Sequence, residues 1–307
     1  MIYTLTLNPA IDLYMEFDEL KNNEVNRSSI CSIIPNGKGV NVSFILKKLG
    51  IDSVALGVGG GFTNNYIEEA LSENNIKNEF IHVPGNTRIN AFAFDKQSNT
   101  EIKQLNSGPE VSEAQINELI KLLNKKITSN DYLVISGSFS KGIKKTVLEK
   151  ICMIANEKEV NLVVDTCYKE TLNILKYHPL LLKPNIEELA KWFNKSNLSE
   201  KEAKLYCQKL IEMGAQNVLL SMGGDGALFI NEHTVIKGVA PKENIVNTAG
   251  AGDTMLGTFL GGMIQKKKVE DNFKYSIAAG SSTAFHIGLT DFDDCEKLEG
   301  QIKISTL

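Results

Sequence analysis

The segment that decides the fold is Asn247-Thr248-Ala249-Gly250-Ala251-Gly252-Asp253-Thr254, which runs directly into the apolar stretch Met255-Leu256-Gly257-Thr258-Phe259-Leu260. The apolar stretch predicts a helix, so the glycines lie at a junction between a loop and a helix. Glycine leaves backbone N–H groups uncovered there, and these groups together with the helix dipole favour a bound anion. The segment is therefore typical of a phosphate-binding loop.

Asp253 is the only acid in this segment, and it suggests a chemical step. A carboxylate beside that positive potential stays ionised and can take a proton from a hydroxyl that faces the phosphate. Asp253 is therefore a candidate general base. The pattern also fits a plain glycine turn in which Asp253 is only a negative charge at a helix N-terminus.

Outward from this junction, runs typical of strands and of helices alternate along most of the chain. The alternation predicts one α/β domain over residues 1–307, with a mainly parallel sheet and helices on both faces. A chain of 307 residues with 42% apolar residues is long enough to bury such a core. The predicted strands are 3–7, 53–58, 132–136, 161–165, 180–183 and 217–221, and the predicted helices are 39–49, 144–156, 185–193 and 200–213.

Two segments break the alternation, at about 13–35 and 88–106. Within the second, 89–94 and 101–105 have the pattern of the two strands of a hairpin. We expect a small separate β-sheet that forms a lid over the carboxyl edge of the main sheet, where ligands bind in such folds. The alternative is that these segments are edge strands of the main sheet.

Composition limits the kinds of ligand. The net charge is −4 without any basic run, which argues against a nucleic-acid or anionic-membrane surface. The N-terminus lacks a basic region before a long apolar stretch, and no window reaches the roughly 20 apolar residues of a membrane span, so we expect a cytoplasmic protein. The five cysteines and four histidines lack the spacing of a zinc site or a catalytic triad. Small molecules are the expected ligands.

Two more glycine-rich segments have chemical potential. Ser221-Met-Gly223-Gly224-Asp-Gly226-Ala227 follows a predicted strand and fits either a hairpin turn or a loop whose backbone approaches a nucleotide. Asn36-Gly37-Lys38-Gly39-Val40-Asn41 opens the first long helix. It suits sugar hydroxyls or a substrate phosphate, and it also fits an ordinary helix start with a solvated lysine.

A further segment, Lys183-Pro-Asn185-Ile-Glu-Glu188-Leu189, follows a predicted strand. Asn185 and Glu188 are i, i+3 neighbours that could orient water around Mg²⁺. They also fit an N-cap and its capping-box partner. Because neither the P-loop motif nor the protein-kinase motifs occur, phosphate chemistry here needs another scaffold.

Five motifs occur along the chain: Asn8-Pro-Ala-Ile-Asp12, Asn36-Gly-Lys-Gly-Val-Asn41, Ser136-Gly-Ser138, Lys183-Pro-Asn-Ile-Glu-Glu188 and Gly250-Ala-Gly-Asp253. In order and spacing, and over essentially the whole chain, these motifs resemble the ribokinase-like carbohydrate kinases of the PfkB family. They are most similar to the branch of 1-phosphofructokinases and tagatose-6-phosphate kinases. Three positions depart from that pattern: Asn36 and Asn64 stand where the branch usually has glycine, and Ser140 replaces a frequent proline.

The resemblance implies a three-layer α/β/α domain with a small β-sheet lid, and it implies ATP and Mg²⁺ as cofactors. It assigns each motif a role. Asp253 is the catalytic base, and Gly250, Ala251 and Gly252 are the anion hole. The implied substrate-binding residues are Asp12, Gly37, Lys38, Asn41, Arg88 and Ser138; the ATP-binding residues are Lys183, Ser221, Gly223, Gly224 and Gly226; and Asn185 and Glu188 hold Mg²⁺ through water.

The implied reaction is phosphoryl transfer from ATP to a phosphorylated ketohexose. The leading acceptor is O6 of fructose 1-phosphate, which gives fructose 1,6-bisphosphate, and the nearest alternative is tagatose-6-phosphate kinase. A non-catalytic sugar-phosphate sensor and a kinase for an unphosphorylated sugar or nucleoside are further alternatives. A dinucleotide-dependent oxidoreductase is discounted, because Phe62 stands at the last position of the Gly-x-Gly-x-x-Gly pattern. We expect a homodimer that pairs through the lid.

Overall fold

The computed structural model describes all residues from Met1 to Leu307 as one α/β unit. The strands are β1 Ile2–Thr6, β2 Ala10–Phe17, β3 Ile30–Asn36, β4 Val54–Gly59, β5 Lys77–His82, β6 Arg88–Asp95, β7 Thr100–Gln104, β8 Tyr132–Ser136, β9 Asn161–Asp165, β10 Leu181–Leu182, β11 Asn217–Ser221, β12 Ala227–Asn231, β13 Val235–Gly238 and β14 Ile304–Thr306. The helices are α1 Lys38–Lys48, α2 Gly61–Glu73, α3 Glu113–Lys126, α4 Thr146–Glu157, α5 Ile186–Trp192, α6 Glu200–Glu212, α7 Ala251–Ile264, α8 Val269–Phe285 and α9 Cys295–Gln301, with 3₁₀ helices at Lys169–Tyr177 and Gly223–Asp225.

Ten strands form the main sheet, in the order β14-β13-β12-β11-β10-β9-β8-β1-β4-β5. Every pair from β11 to β5 is parallel, and the three pairs from β11 to β14 are antiparallel. The prediction of a mainly parallel sheet is confirmed.

Helices cover both faces of this sheet, which is why its central strands are mainly apolar. Successive residues of β8 illustrate the arrangement. Val134 packs into the cluster that contains Leu256 and Phe259 of α7, while Ile135 packs into the cluster on the opposite face with Leu148 of α4. The predicted three-layer α/β/α architecture is therefore confirmed.

A second sheet of four strands, in the order β3-β2-β6-β7, is separate from the main sheet. The predicted hairpin is present as the antiparallel pair β6 and β7, and β2 runs parallel to β6. The alternative that these strands are edges of the main sheet is wrong. Because β1 ends at Thr6 and β2 begins at Ala10, this small sheet starts at the carboxyl edge of the main sheet.

The start of α1 is held against the same edge by close backbone packing. A Cβ atom at Gly39 would lie 2.6 Å from the Thr6 hydroxyl oxygen, and Gly37 has φ +144°, which other residues rarely adopt. Glycine is therefore required where α1 meets the end of β1. This contact brings the first turn of α1 to the carboxyl edge.

No helix combines the length and the apolar character needed to cross a membrane. All five cysteines are free thiols, and Cys152, Cys207 and Cys295 are buried.

Candidate active site

A cleft of about 1030 Å³ lies where the small sheet meets the carboxyl edge of the main sheet. The small sheet contributes residues from the ends of β3 and β6. The main sheet contributes the loops after β10 and β11 and the first turn of α7. The cleft thus brings together residues from all of the predicted motifs except Ser136-Gly-Ser138, among them Asn36, Gly37, Lys38, Arg88, Lys183, Asn185, Ser221, Gly223, Gly224, Gly226, Gly250, Ala251, Gly252 and Asp253. Of the predicted site residues, Asp12, Asn41, Ser138 and Glu188 do not line the cleft directly.

The N-terminus of α7 opens onto this cleft without a side-chain cap. Gly250 is the N-cap residue, in the left-handed conformation with φ +79°. The Ala251 N–H has only a 3.3 Å contact with the Thr248 carbonyl oxygen. The first N–H groups of a helix have no partner inside the helix, so this turn offers donors to an anion in the cleft.

Asp253 lies in this first turn with only 6% of its surface exposed. Its Oδ2 atom accepts a hydrogen bond of 2.8 Å from Nδ2 of Asn41, which comes from α1. Burial raises the pKa of the Asp253 carboxyl to about 6, because desolvation outweighs the stabilising charges of Lys38 and Lys183. The carboxylate is therefore ionised at neutral pH and is a stronger base than an exposed aspartate.

Two lysines meet a single buried carboxylate next to Asp253. Asp165 ends β9, and its Oδ1 and Oδ2 atoms lie 2.9 Å from Nζ of Lys38 and 3.6 Å from Nζ of Lys183. Burial lowers the pKa of Lys38, but the negative charges of Asp165 and its neighbours outweigh this effect and raise the pKa above its usual value. Lys38 is therefore a permanent cation.

Lys183 points toward the start of α7. Its side chain is 3% exposed, and a Cβ atom at residue 252 would lie 3.1 Å from its Nζ atom. Glycine at this position therefore allows the ammonium group to approach the first turn of the helix. The arrangement concentrates positive potential at the uncapped N-terminus.

On the small-sheet side, polar side chains surround Asp12. Asn90 donates a hydrogen bond of 2.8 Å to Oδ1 of Asp12, and Asn36 donates to Oδ2. Burial raises the pKa of Asp12, and the two amides and the charge of Arg88 oppose that rise. Asn36 also accepts a hydrogen bond of 2.7 Å from Nδ2 of Asn41, so these side chains reach from Asp12 to Asp253.

Arg88 has donors to spare. One guanidinium N–H bonds to the Asn8 carbonyl oxygen at 3.2 Å, while its buried Nε atom has no hydrogen-bond partner. Asn8 in turn donates to the Ser138 hydroxyl at 3.0 Å. Burial lowers the pKa of Arg88, although a guanidinium stays charged at any physiological pH. Arg88, Asn8 and Ser138 therefore form a connected group with unused donors.

Asn185 and Glu188 form the capping box that the sequence offered as the alternative to a magnesium site. The Asn185 side chain accepts from the Glu188 N–H at 2.8 Å, and Glu188 Oε2 accepts from the Asn185 N–H at 2.9 Å. The other oxygen, Oε1, makes no hydrogen bond and lies 3.7 Å from Nζ of Lys38. One carboxylate oxygen is thus still available for a ligand.

The loop after β11 is a hairpin turn, because β11 and β12 pair antiparallel across it. Gly226 is needed for the turn itself, because its φ is +95° and a Cβ atom there would collide with the Gly238 carbonyl oxygen. Gly223 and Gly224 face open space. A ligand can therefore approach their backbone closely.

Three polar residues of the site were not predicted from the sequence: Asp165, Asn36 and Asn90. Asp165 carried one usable signal, because it ends a predicted strand at the edge where ligands bind. Asn36 belongs to the quoted segment 36–41 and was noted as a departure from the expected glycine, but the sequence assigned it no role of its own. Asn90 lies in an alternating strand pattern and carried no signal.

Comparison with known proteins identifies the class of enzyme. The model of the pfkB family of carbohydrate kinases matches residues 5–294. The chain therefore belongs to the pfkB family carbohydrate kinases, and it is a phosphotransferase. The resemblance inferred from the motifs is confirmed.

Individual relatives cover the full length. D-tagatose-1-phosphate kinase of Bacillus licheniformis is 42% identical and aligns with 100% of both chains. The 1-phosphofructokinase of Borreliella burgdorferi is 38% identical over 100% of this chain and 99% of its own. Phosphofructokinase-2 of Escherichia coli, solved in complex with substrates and products, is 27% identical, with a TM-score of 0.88 over 97% of this chain and 98% of its own. That enzyme was also solved in a tetrameric inhibited form.

Proposed function

We propose that this protein transfers the γ-phosphoryl group of ATP to O6 of a ketohexose 1-phosphate, with fructose 1-phosphate as the leading acceptor. One observation carries the proposal. A buried carboxylate, Asp253, stands in the first turn of an uncapped helix, beside the buried Lys183 and the partly exposed Lys38. This is the combination that proton abstraction and phosphoryl transfer require in one place.

Asp253 acts on the acceptor. Its raised pKa, about 6, makes it a base strong enough to take the proton of a hydroxyl as that oxygen attacks phosphorus. Asn41 holds Oδ2, which leaves Oδ1 for the hydroxyl. The sugar lies between Asp253 and Asp12. The carboxylate of Asp12 and the neighbouring amides of Asn36 and Asn90 can form hydrogen bonds with the other hydroxyls of the sugar.

Charge on the transferring phosphoryl group is balanced from two sides. Backbone N–H groups of Gly250, Ala251 and Gly252 form the anion hole at the helix start. Lys183 and Lys38 add positive charge next to it. ATP extends along the cleft past Ser221, Gly223 and Gly224, with Gly226 shaping the loop.

Glu188, on the nucleotide side of the cleft, can bind a hydrated Mg²⁺. Magnesium usually keeps several waters and binds through one or two carboxylates and the nucleotide phosphates. Glu188 has one oxygen without a hydrogen bond, which can accept from a magnesium-bound water, with Asn185 beside it. When bound, the ion would neutralise charge on the β- and γ-phosphates.

The substrate's own phosphate is assigned to Arg88, which has a buried Nε donor without a partner. Ser138, joined to Arg88 through Asn8, is the second contact, and Gly37 lies on the same side of the cleft. Closure of the small sheet as a lid would exclude water that would otherwise hydrolyse ATP.

The names of the relatives narrow the range of acceptor sugars, but they do not distinguish fructose 1-phosphate from tagatose 1-phosphate. Fructose 1-phosphate and tagatose 1-phosphate differ in configuration at one carbon, and both present O6 to the base. Relatives named for each of them are similar to this chain at 38% and 42% identity. Tagatose 6-phosphate carries its phosphate at the other end and would have to bind in the reverse direction.

The decisive experiment measures ADP release with MgATP and compares kcat/KM for fructose 1-phosphate, tagatose 1-phosphate, tagatose 6-phosphate, fructose 6-phosphate and free fructose. We expect the two 1-phosphates to exceed the 6-phosphates by at least about tenfold, since the phosphate contact selects the orientation. A preference for a 6-phosphate would reverse the assigned orientation. No turnover with any sugar, despite ATP binding, would favour the sensor alternative. Because ATP is a substrate, the proposal places the enzyme in the cytoplasm.

We also propose a homodimer through the outer face of the small sheet. Directly paired residues share a face, and here the pairs are Leu13 with Ile33 and Ala91, and Ala93 with Ile102. None is charged, and Ile33 and Ile102 are 57% and 51% exposed. An apolar face of this kind is typical of an interface with a second copy.

Light scattering during size exclusion tests the dimer. We expect the wild type to elute as a dimer and Ile33→Lys to elute as a monomer, because a charged side chain on this apolar face opposes its burial. Met153→Lys is the matched control, since Met153 is an exposed apolar residue of α4, away from the small sheet. A monomeric wild type would exclude this interface.

A further inference from the structure

Asn36 lies between Asp12, on the acceptor side of the cleft, and the proposed base Asp253. The reaction described above gives Asn36 no role. It ends β3, and its carboxamide contacts three groups. Nδ2 donates to Oδ2 of Asp12, and Oδ1 accepts from the Gly37 N–H and from Nδ2 of Asn41 at 2.7 Å. Both ends of the amide are therefore used.

The direction of these bonds follows from Asp12. An ionised carboxylate can only accept hydrogen bonds, so Asn36 must turn its Nδ2 toward Asp12. Its Oδ1 then faces Asn41. If the Asn36 amide were rotated by 180°, an oxygen would lie against the carboxylate and an N–H group would lie against Nδ2 of Asn41. The carboxylate thus fixes the orientation of Asn36.

The same reasoning fixes Asn41. With Oδ1 of Asn36 as an acceptor, Asn41 must present Nδ2, and its two hydrogens go to Asn36 at 2.7 Å and to Oδ2 of Asp253 at 2.8 Å. A rotated Asn41 would put an oxygen against two other oxygens. Asp253 makes no other side-chain hydrogen bond. Asn41 therefore occupies one oxygen of the base and leaves the other free.

We propose that Asn36 is a positioning residue: it locks the Asn41 carboxamide so that Oδ2 of Asp253 is held and Oδ1 is left for the acceptor hydroxyl. The catalytic role of Asp253 comes from the proposed function, on which this inference rests. Without Asn36, only the Asp253 carboxylate itself opposes a turn of the Asn41 amide, and the hydrogen bond to Asp253 would be made for less of the time.

The test compares Asn36→Gly with wild type in two measurements. The first follows the Asp253 carboxyl carbon by ¹³C NMR through a pH titration without substrate. Besides Asn41, the groups that act on this carboxyl are Lys38 from α1, Asp165 at the end of β9 and Lys183 after β10, and the variant leaves all three in place. Since the bond from Asn41 stabilises the charged form, we expect the midpoint to rise by up to about one pH unit.

The second measurement is turnover with the preferred acceptor. We expect kcat/KM to fall by about 10- to 100-fold, as for a lost hydrogen bond to a charged group, while KM for MgATP stays within about twofold. In the Asn41→Ala background, Asn36→Gly should have no further effect, because the two residues act in series. A further tenfold loss there would mean that Asn36 acts through Asp12 and would overturn the inference.

Asn217→Gly is the matched control. Asn217 also lies at a strand end, donates to the Leu180 carbonyl oxygen at 2.8 Å and accepts from Asn231 at 3.3 Å, but it begins β11 at the opposite edge of the sheet. We expect neither measurement to change in this control. If Asn36→Gly does not fold, Asn36→Ser takes its place, because its hydroxyl is too short to reach both neighbours.

The two proposals can fail separately. An unchanged NMR midpoint, with turnover within twofold of wild type, overturns the role of Asn36 and leaves the kinase proposal standing. If the wild type phosphorylates none of the sugars, the proposed acceptor is wrong. The NMR titration still decides the role of Asn36 in that case, because it needs no substrate.

Discussion

Helices α5 and α7 begin at the same cleft, and each carries an acid in its first turn, but they begin in different ways. At the start of α5, Asn185 and Glu188 bond to each other's backbone N–H groups in a capping box. At the start of α7, the N-cap is Gly250 and no side chain caps the helix. The capping box of α5 uses the N–H groups of Asn185 and Glu188 within the chain, whereas no side chain bonds to the N–H groups in the first turn of α7.

This difference separates a structural helix start from a reactive one. A capping box stabilises its helix and leaves little for an anion to bind, while an uncapped start favours a bound anion. The two acids differ accordingly. Asp253 is buried and basic, with a pKa of about 6, and Glu188 uses one oxygen to hold its own helix. We therefore expect changes at α7 to affect turnover and changes at α5 to affect stability and metal requirement.

The largest expected effect is that of Asp253→Asn. The amide cannot accept the hydroxyl proton, so kcat should fall by about 10²- to 10⁴-fold, with MgATP binding within about twofold of wild type. Steady-state kinetics and calorimetric titration with MgATP measure the two quantities. Asp271→Asn is the control, since Asp271 is exposed in the first turn of α8. A variant that keeps half of the wild-type kcat would remove Asp253 from the role of base.

Glu188→Gln tests the acid of α5. Glutamine still serves in a capping box, so the melting temperature should stay within about 2 °C of wild type. The loss of charge should raise the Mg²⁺ concentration for half-maximal rate by about tenfold, as is typical for groups that hold a metal through a second shell. Rates are measured at fixed ATP with increasing Mg²⁺. An unchanged requirement for Mg²⁺ would restrict Glu188 to the capping box.

The pH dependence of kcat/KM tests the acid of α7, Asp253. Because the active form of Asp253 is the ionised one and its pKa is raised to about 6, activity should fall as the pH drops through that value. Below it, kcat/KM should fall about tenfold per pH unit, with a plateau above about pH 7. The profile of Glu188→Gln should have the same midpoint. A midpoint near about 4 in the wild type would mean that the base is an exposed carboxyl.

The smallest expected effect is that of Asn185→Ala on stability. Removal of the N-cap side chain should lower the free energy of unfolding by about 1 kcal/mol. Urea denaturation measures the change, and Asn185→Ser should restore most of it because serine is also a good N-cap. If Asn185→Ala lost turnover and kept its stability, the comparison between α5 and α7 would be reversed.

The sequence predicted most of the fold and most of the segments that line the cleft. The glycine junction before α7, the alternation of strands and helices and the hairpin of β6 and β7 were all readable, because they depend on local backbone preferences and on apolar periodicity. The contacts of Asp165 could not be predicted in this way. Asp165 ends a strand, and only tertiary packing brings Lys38 and Lys183 to its carboxylate.

Two alternatives left open by the sequence were resolved only by the tertiary structure. The loop Ser221 to Ala227 is a hairpin turn and also lines the cleft, and Asn185 with Glu188 is a capping box with one oxygen to spare. In both cases the local pattern fitted two roles, and the structure shows the structural role while leaving the atoms for the second role exposed to the cleft or without a hydrogen bond.

What the sequence determined by itself is the class of fold and the position of the glycine junction before α7, because glycine conformations and strand periodicity are properties of short segments. Tertiary structure decided the protonation behaviour of Asp253. The pKa of Asp253 depends on burial and on charges from α1, β9 and the residue after β10, which are about 70 to 215 positions away in the sequence. Electrostatic fields depend on distance in space, and only folding fixes those distances.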